Sequence, residues 1–197
     1  MYYREGDSGV VVGVLNDYDL ASLRSSANPL GNERTGTIPF MAIDLLSKNG
    51  QDGRVEHLYR HDMESFIWVL VWISVQYVDG ERLFPGPLDG WAQVNASGCV
   101  EKKLRFLDDP QLLYSLSHNR TRVIRLLTFL SNRQNARANL IKDLNLILSS
   151  LNDARVGPSS PHKIEKLEKK VKELEGELAE ESDSDVFTKF VALTRKK

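Results

Sequence analysis

His61-Asp62-Met63-Glu64-Ser65, followed by Phe66-Ile67-Trp68-Val69-Leu70-Val71-Trp72-Ile73-Ser74-Val75-Gln76-Tyr77-Val78, is the stretch whose reading decides the fold. A helix through these residues is apolar on nearly every side, and such a helix belongs inside a protein rather than on its surface. Asp62 suits an N-cap, although Glu64 falls one position short of a capping box. The most apolar run, Phe66 to Ile73, is far shorter than the roughly 20 residues that cross a bilayer.

Upstream, Met41–Ser47 reads as a short helix, followed by a Gly-containing break at Asn49–Gly53. Residues 22–40 carry Ser, Asn, Gly, Thr and Pro with no period of two or 3.6, so they form a long loop of the kind that usually has a function. Residues 2–15 read as a β-hairpin: a strand at Tyr2–Tyr3, a turn at Glu5-Gly6-Asp7-Ser8-Gly9, and a valine-rich strand at Val10–Leu15. Downstream, Pro85, Gly86, Pro87 and Gly90 mark a loop. Helical segments are expected at Ala92–Phe106, Pro110–Leu116, Arg122–Leu130 and Ala138–Leu151. The last has one apolar stripe, Leu140, Ile141, Leu144, Ile147, Leu148 and Leu151. The expected architecture is mainly α, one β-hairpin and about six helices over residues 1–155.

Val156-Gly157-Pro158-Ser159-Ser160-Pro161 reads as a linker, placed at 156–162. In the helix expected at 163–181, Ile164, Leu167, Val171, Leu174 and Leu178 alternate spacings of three and four with Lys and Glu between them. This is a coiled-coil-like seam of little over two heptads. A helix that short needs a surface to lie on, which makes a coiled-coil partner or self-association through 164–178 an expectation. Residues 182–197 read as a polar tail, with Ser182-Asp183-Ser184-Asp185 suited to an acidophilic kinase.

Composition narrows the class. Apolar residues at 41% and charged residues at 27% fit a globular chain, and a formal net charge of −1 argues against nucleic acid or an anionic membrane as partner. Arg133, Arg137 and Lys142 accordingly read as solvated helix faces. With Cys99 alone, no intrachain disulfide forms. Sequons at Asn95 and Asn119 would matter only in a secreted protein, and MYYREGDSG has no apolar signal core, so an intracellular, cytoplasmic or nuclear location is expected.

Chemistry concentrates in Gly13-Val14-Leu15-Asn16-Asp17-Tyr18-Asp19-Leu20-Ala21, a strand that runs into an acidic-aromatic turn. A calcium loop fits Asp17 and Asp19 but fails beyond them, because Ala21, Ser22 and Arg24 give no matching ligand set and the sixth position has no Gly. Arg34-Thr35-Gly36-Thr37-Ile38-Pro39-Phe40-Met41-Ala42-Ile43-Asp44-Leu45-Leu46 and the His61–Phe66 stretch follow in order. Together the three resemble the magnesium loop, the end of the activation segment and the central helix of a protein kinase C-terminal lobe. The closest resemblance is to the fungal-type protein kinase family, and it covers roughly residues 1–155.

The resemblance implies serine/threonine phosphorylation of a protein substrate with ATP and Mg²⁺ as cofactors. Asp17 would hold the metal that bridges the phosphates, with Tyr18 anchoring the loop and Asp19 standing where glycine is usual. Thr35, Gly36, Thr37 and Pro39 would line the loop that faces the substrate. Asp44 would close the segment through an arginine further on, and Asp62 would tether the backbone of the catalytic loop.

Phosphoryl transfer by this fold also needs a Gly-rich loop, a Lys/Glu pair and a His-Arg-Asp loop that supplies the catalytic base. The chain holds no Gly-x-Gly-x-x-Gly and no His-x-Asp before Asp17, so no catalytic residue is assigned in it. The reading is therefore a C-lobe fragment, truncated either in the gene copy or in its transcript model, and inactive alone. The alternative is a non-catalytic interaction module built on the heptad helix. Of the weaker signals, His57 and His61 lack a third zinc ligand, Trp68 and Trp72 read as core, and Ser22, Ser25, Ser26 and Thr35 are phosphorylation candidates.

Overall fold

The structure is a computed structural model and describes residues 2–5, 11–14, 36–111, 113, 120–157, 160–179 and 183–195. The chain divides into two compact units, Met1–Gly36 and Thr37–Lys197. In the first, β1 (Tyr2–Glu5) and β2 (Val11–Val14) pair antiparallel, with Tyr2 opposite Val14 and Glu5 opposite Val11. The two strands fall where the hairpin was expected, the second of them valine-rich, and residues 6–9 of the expected turn lie outside the described residues.

The second unit is helical. A 3-10 turn (Ile38–Phe40) leads into α1 (Ile43–Leu46) and α2 (Lys48–Gln51). After them come α3 (Tyr59–Gln76), a small hairpin of β3 (Tyr77–Val78) and β4 (Glu81–Arg82), α4 (Asp89–Ala92) and α5 (Ala96–Asp108). The chain ends in α6 (Arg120–Val156), α7 (Pro161–Ala179) and α8 (Asp183–Arg195). No described helix is long and apolar enough to cross a membrane.

The apolar helix is central. Met63, Ile67, Trp68, Val71 and Val75 of α3 are buried, and Leu46, Leu88, Trp91, Cys99, Phe106, Val123, Leu126 and Leu130 complete the core around them. Trp68, Trp91 and Phe106 stack edge to face with centroids 5.5 and 5.6 Å apart, the arrangement that ring quadrupoles favour. Enclosure is incomplete, however. Phe66 and Ile73, seven residues apart on one edge of α3, are 57% and 47% exposed. The helix also begins at Tyr59, three residues before Asp62, with the His61 Nδ1 accepting the Leu58 N–H at 3.0 Å.

Several elements differ from the sequence expectation. The segments expected at Arg122–Leu130 and Ala138–Leu151 are one 37-residue helix, α6. Between them, Ser131 to Arg137 contains no Pro or Gly and includes good helix formers, so the apolar stripe lapses while the helix continues. α7 starts two residues earlier than expected and returns along α6 as an antiparallel hairpin, joined by a short link and an Arg155–Glu168 ion pair at 2.6 Å. Leu174 of α7 is buried, as are Leu151 and Ala154 of α6, and the two helices pack along each other, so the heptad seam lies against this chain's own helix. The expected polar tail is α8: Val186 is buried, while Phe190 and Leu193 pack on the core at i+4 and i+7 from it. The acidic Asp183 and Asp185 that suggested a solvated tail stand in the first turn, where negative charge favours a helix.

Candidate functional site around Ile38–Leu46

Pro39 pre-sets the backbone for the 3-10 turn and is buried, while Gly36 and Thr37 are exposed just before it. The Phe40 N–H bonds the Thr37 carbonyl at 2.8 Å, and the Phe40 ring meets Trp72 edge to face at 5.5 Å. The turn is therefore tied to its own backbone and to α3.

Beyond the turn, two buried charges take over. The Glu64 Oε1 accepts from the Ile43 N–H at 2.8 Å and from the Trp68 Nε1–H at 3.0 Å. The Lys103 Nζ donates to the Met41 carbonyl and stands 4.7 Å from the centroid of the Trp68 ring, a cation–π distance. Glu64 is 2% exposed and Lys103 fully buried. Burial raises the Glu64 carboxyl above the usual range, against the opposing pull of the Ile43 N–H, Trp68 and Lys103. Burial likewise lowers the Lys103 ammonium to about 8, with Glu64 and Cys99 opposing.

Asp44, at the start of α1, forms the second anchor. Its Oδ2 lies 3.5 Å from the Arg137 Nε of α6 and 3.7 Å from the His61 Nε2 of α3. Burial pushes the carboxyl up, but the neighbouring His61 ring and the Arg137 guanidinium outweigh it and hold the group below the ordinary range. Arg137, read from the sequence as a solvated face, is thus engaged. Next to this anchor, Gly50 packs against backbone: a Cβ there would lie 2.4 Å from the carbonyl oxygens of Asp44 and Leu45.

The other expected residues fall apart from this cluster or outside it. The Asp62 carboxylate is 57% exposed and bonds the His57 Nε2 at 2.9 Å. Asp17, Tyr18, Asp19 and Thr35 lie outside the described residues, as do Ser22, Ser25 and Ser26. Among the described residues no group of three His, Cys, Asp or Glu side chains could hold a metal ion. Sequence reading missed Glu64, Lys103 and Arg137 as anchors. For Lys103 a signal existed, since Cys99, Lys103 and Phe106 share the i, i+4, i+7 spacing of a core face.

Residues 2–74 match the family model described as fungal protein kinase. That stretch includes the hairpin, the acidic-aromatic turn, the Ile38–Leu46 segment and most of α3, and it carries a kinase-family sequence pattern over less than half of the chain. No curated protein and no solved structure matches the chain.

Proposed function

We propose that this chain carries the C-terminal lobe of a fungal-type serine/threonine kinase domain and does not transfer phosphate with its 197 residues alone. In this reading Asp17 holds Mg²⁺ on the phosphates of ATP, and Thr35–Pro39 faces the hydroxyl-bearing protein substrate. The observation that carries it is the double anchoring of the matched segment: Glu64 fixes the Ile43 amide, and Asp44 meets Arg137 93 residues further on. A loop that must present its backbone to a substrate needs such rigid footing. The missing Gly-rich loop, Lys/Glu pair and His-Arg-Asp loop support the lack of activity.

The alternative, a non-catalytic module that recruits a coiled-coil partner through 164–178, has less support, because that seam already lies against α6. Two experiments test the first reading. Purified full chain with Mg-ATP and a Ser/Thr peptide should give no transfer; transfer that Asp17→Ala abolishes would overturn the inactivity. A fungal-type kinase whose corresponding segment is replaced by residues 2–74 should stay active and lose activity on Asp17→Ala. A chimera that folds but stays active with Asp17→Ala rejects the metal role.

A further inference from the structure

Ala42 is fully buried in extended backbone between the 3-10 turn and α1. The carbonyl before it belongs to Met41 and the amide after it to Ile43. Buried groups of opposite charge take these two, Lys103 from α5 and Glu64 from α3. Trp68 joins them, its Nε1–H on the same Glu64 oxygen and its ring face beside the Lys103 ammonium. One turn back on α5 the Cys99 Sγ sits 3.8 Å from the Ile38 carbonyl. A purely apolar filling would leave the buried Ile43 amide and the part-buried Met41 carbonyl without these partners, so both must be met at once.

We infer that Lys103 and Glu64 are positioning residues that set the orientation of the exposed Thr37 turn by clamping the backbone on either side of Ala42. This rests on reading Thr35–Pro39 as the substrate-facing loop. The turn ends one residue before Met41, so a shift of the Met41 carbonyl rotates Ile38–Phe40 as a unit. Neither residue touches substrate in this account; each acts through the backbone. Lys103 is faced by Glu64 from α3 and by Cys99 on its own helix, whose thiol burial pushes up, away from the lysine. Asp44 of α1 acts on Glu64 as a like charge and is itself engaged by Arg137 of α6. The 3-10 turn carries no titratable side chain, and Asp89 of α4 is held by Arg82 and Gln76.

The test is site-resolved amide hydrogen exchange on the full chain. Lys103→Met should speed exchange at Phe40, Met41 and Ile43 about tenfold or more. Exchange in the α6–α7 hairpin should hold, and Arg105→Met on the exposed face of α5 should change neither region. In the unmutated protein, Trp emission should titrate near the Lys103 value of about 8. That transition should persist in Cys99→Ala and vanish in Lys103→Met. Exchange unchanged in Lys103→Met, or faster equally along the whole chain, overturns the clamp. So does unmutated protein in which the Ile43 amide exchanges as fast as that of the exposed Thr37, a result that needs no variant to fold. Neither readout requires phosphate transfer, so a failed clamp leaves the kinase reading standing and a failed chimera leaves the clamp standing.

Discussion

Asp44, Glu64 and Lys103 show how far one side chain's surroundings set its effect on stability. Asp44 has its folded pKa lowered, so it stabilises the fold above the ordinary carboxylate range and loses that contribution as pH falls through its folded value. Asp44→Asn should therefore cost about 1–2 kcal/mol at neutral pH, with the gap from the unmutated protein closing in acid, as read by denaturant unfolding at both pH values. Glu64 acts with the opposite sign: its raised pKa makes its contribution greatest in acid and diminishes it as pH rises. For Lys103 the unfolded chain binds more protons between about 8 and the ordinary lysine value, so this group makes the fold more stable as pH climbs through that window. The resemblance drew attention to the acid at position 44, but the sequence did not name Arg137 as its neighbour. Nothing local distinguishes Arg137 from Arg133, because the choice depends on which turn of α6 passes α1.

Elements were legible where period or turn chemistry was strong and obscure where tertiary packing decided. The central helix and the first hairpin could be read directly. The β3–β4 hairpin was missed although Asp79-Gly80 is a strong two-residue turn signal, and the structure has both at positive φ, 50° and 85°. It leads into a network around Asp89. Oδ1 accepts from the Gln76 Nε2–H at 2.7 Å and the Arg82 guanidinium at 2.8 Å, and Oδ2 accepts from the Gly86 N–H at 2.7 Å. The Gly86 N–H, then Arg82 and Gln76, lower the Asp89 pKa. A Cβ on Gly86 would fall 2.1 Å from the Gln76 Oε1, the oxygen that accepts the Leu88 N–H. Gly86→Ala should therefore displace Gln76 and cost about 2–4 kcal/mol, whereas Gly80→Ala, in open space but at positive φ, should cost about 1 kcal/mol. Thermal unfolding of the two variants checks the ranking, and equal losses would contradict it.

At the scale of the molecule, residues 183–195 belong to the fold and are not an appendage. Removing 183–197 takes Val186, Phe190 and Leu193 off the core, which should cost about 3–6 kcal/mol by apolar burial. The shortened chain should melt lower and bind a hydrophobic dye that the full chain does not, and an unchanged melting profile would show α8 to be dispensable. The sequence could not reveal this, because three apolar residues after an acidic run become a packing face only when α3 and α6 supply the surface. α6 itself enters the core through Val123, Leu126 and Leu130, meets Asp44 through Arg137, and lies along α7 through Leu151 and Ala154. In a straight α-helix each residue advances the azimuth by about 100° and the height by about 1.5 Å. The phase of the whole rod is consequently shared: a slip of one residue between α6 and α7 would swing the guanidinium a quarter-turn and more away from the carboxylate it meets.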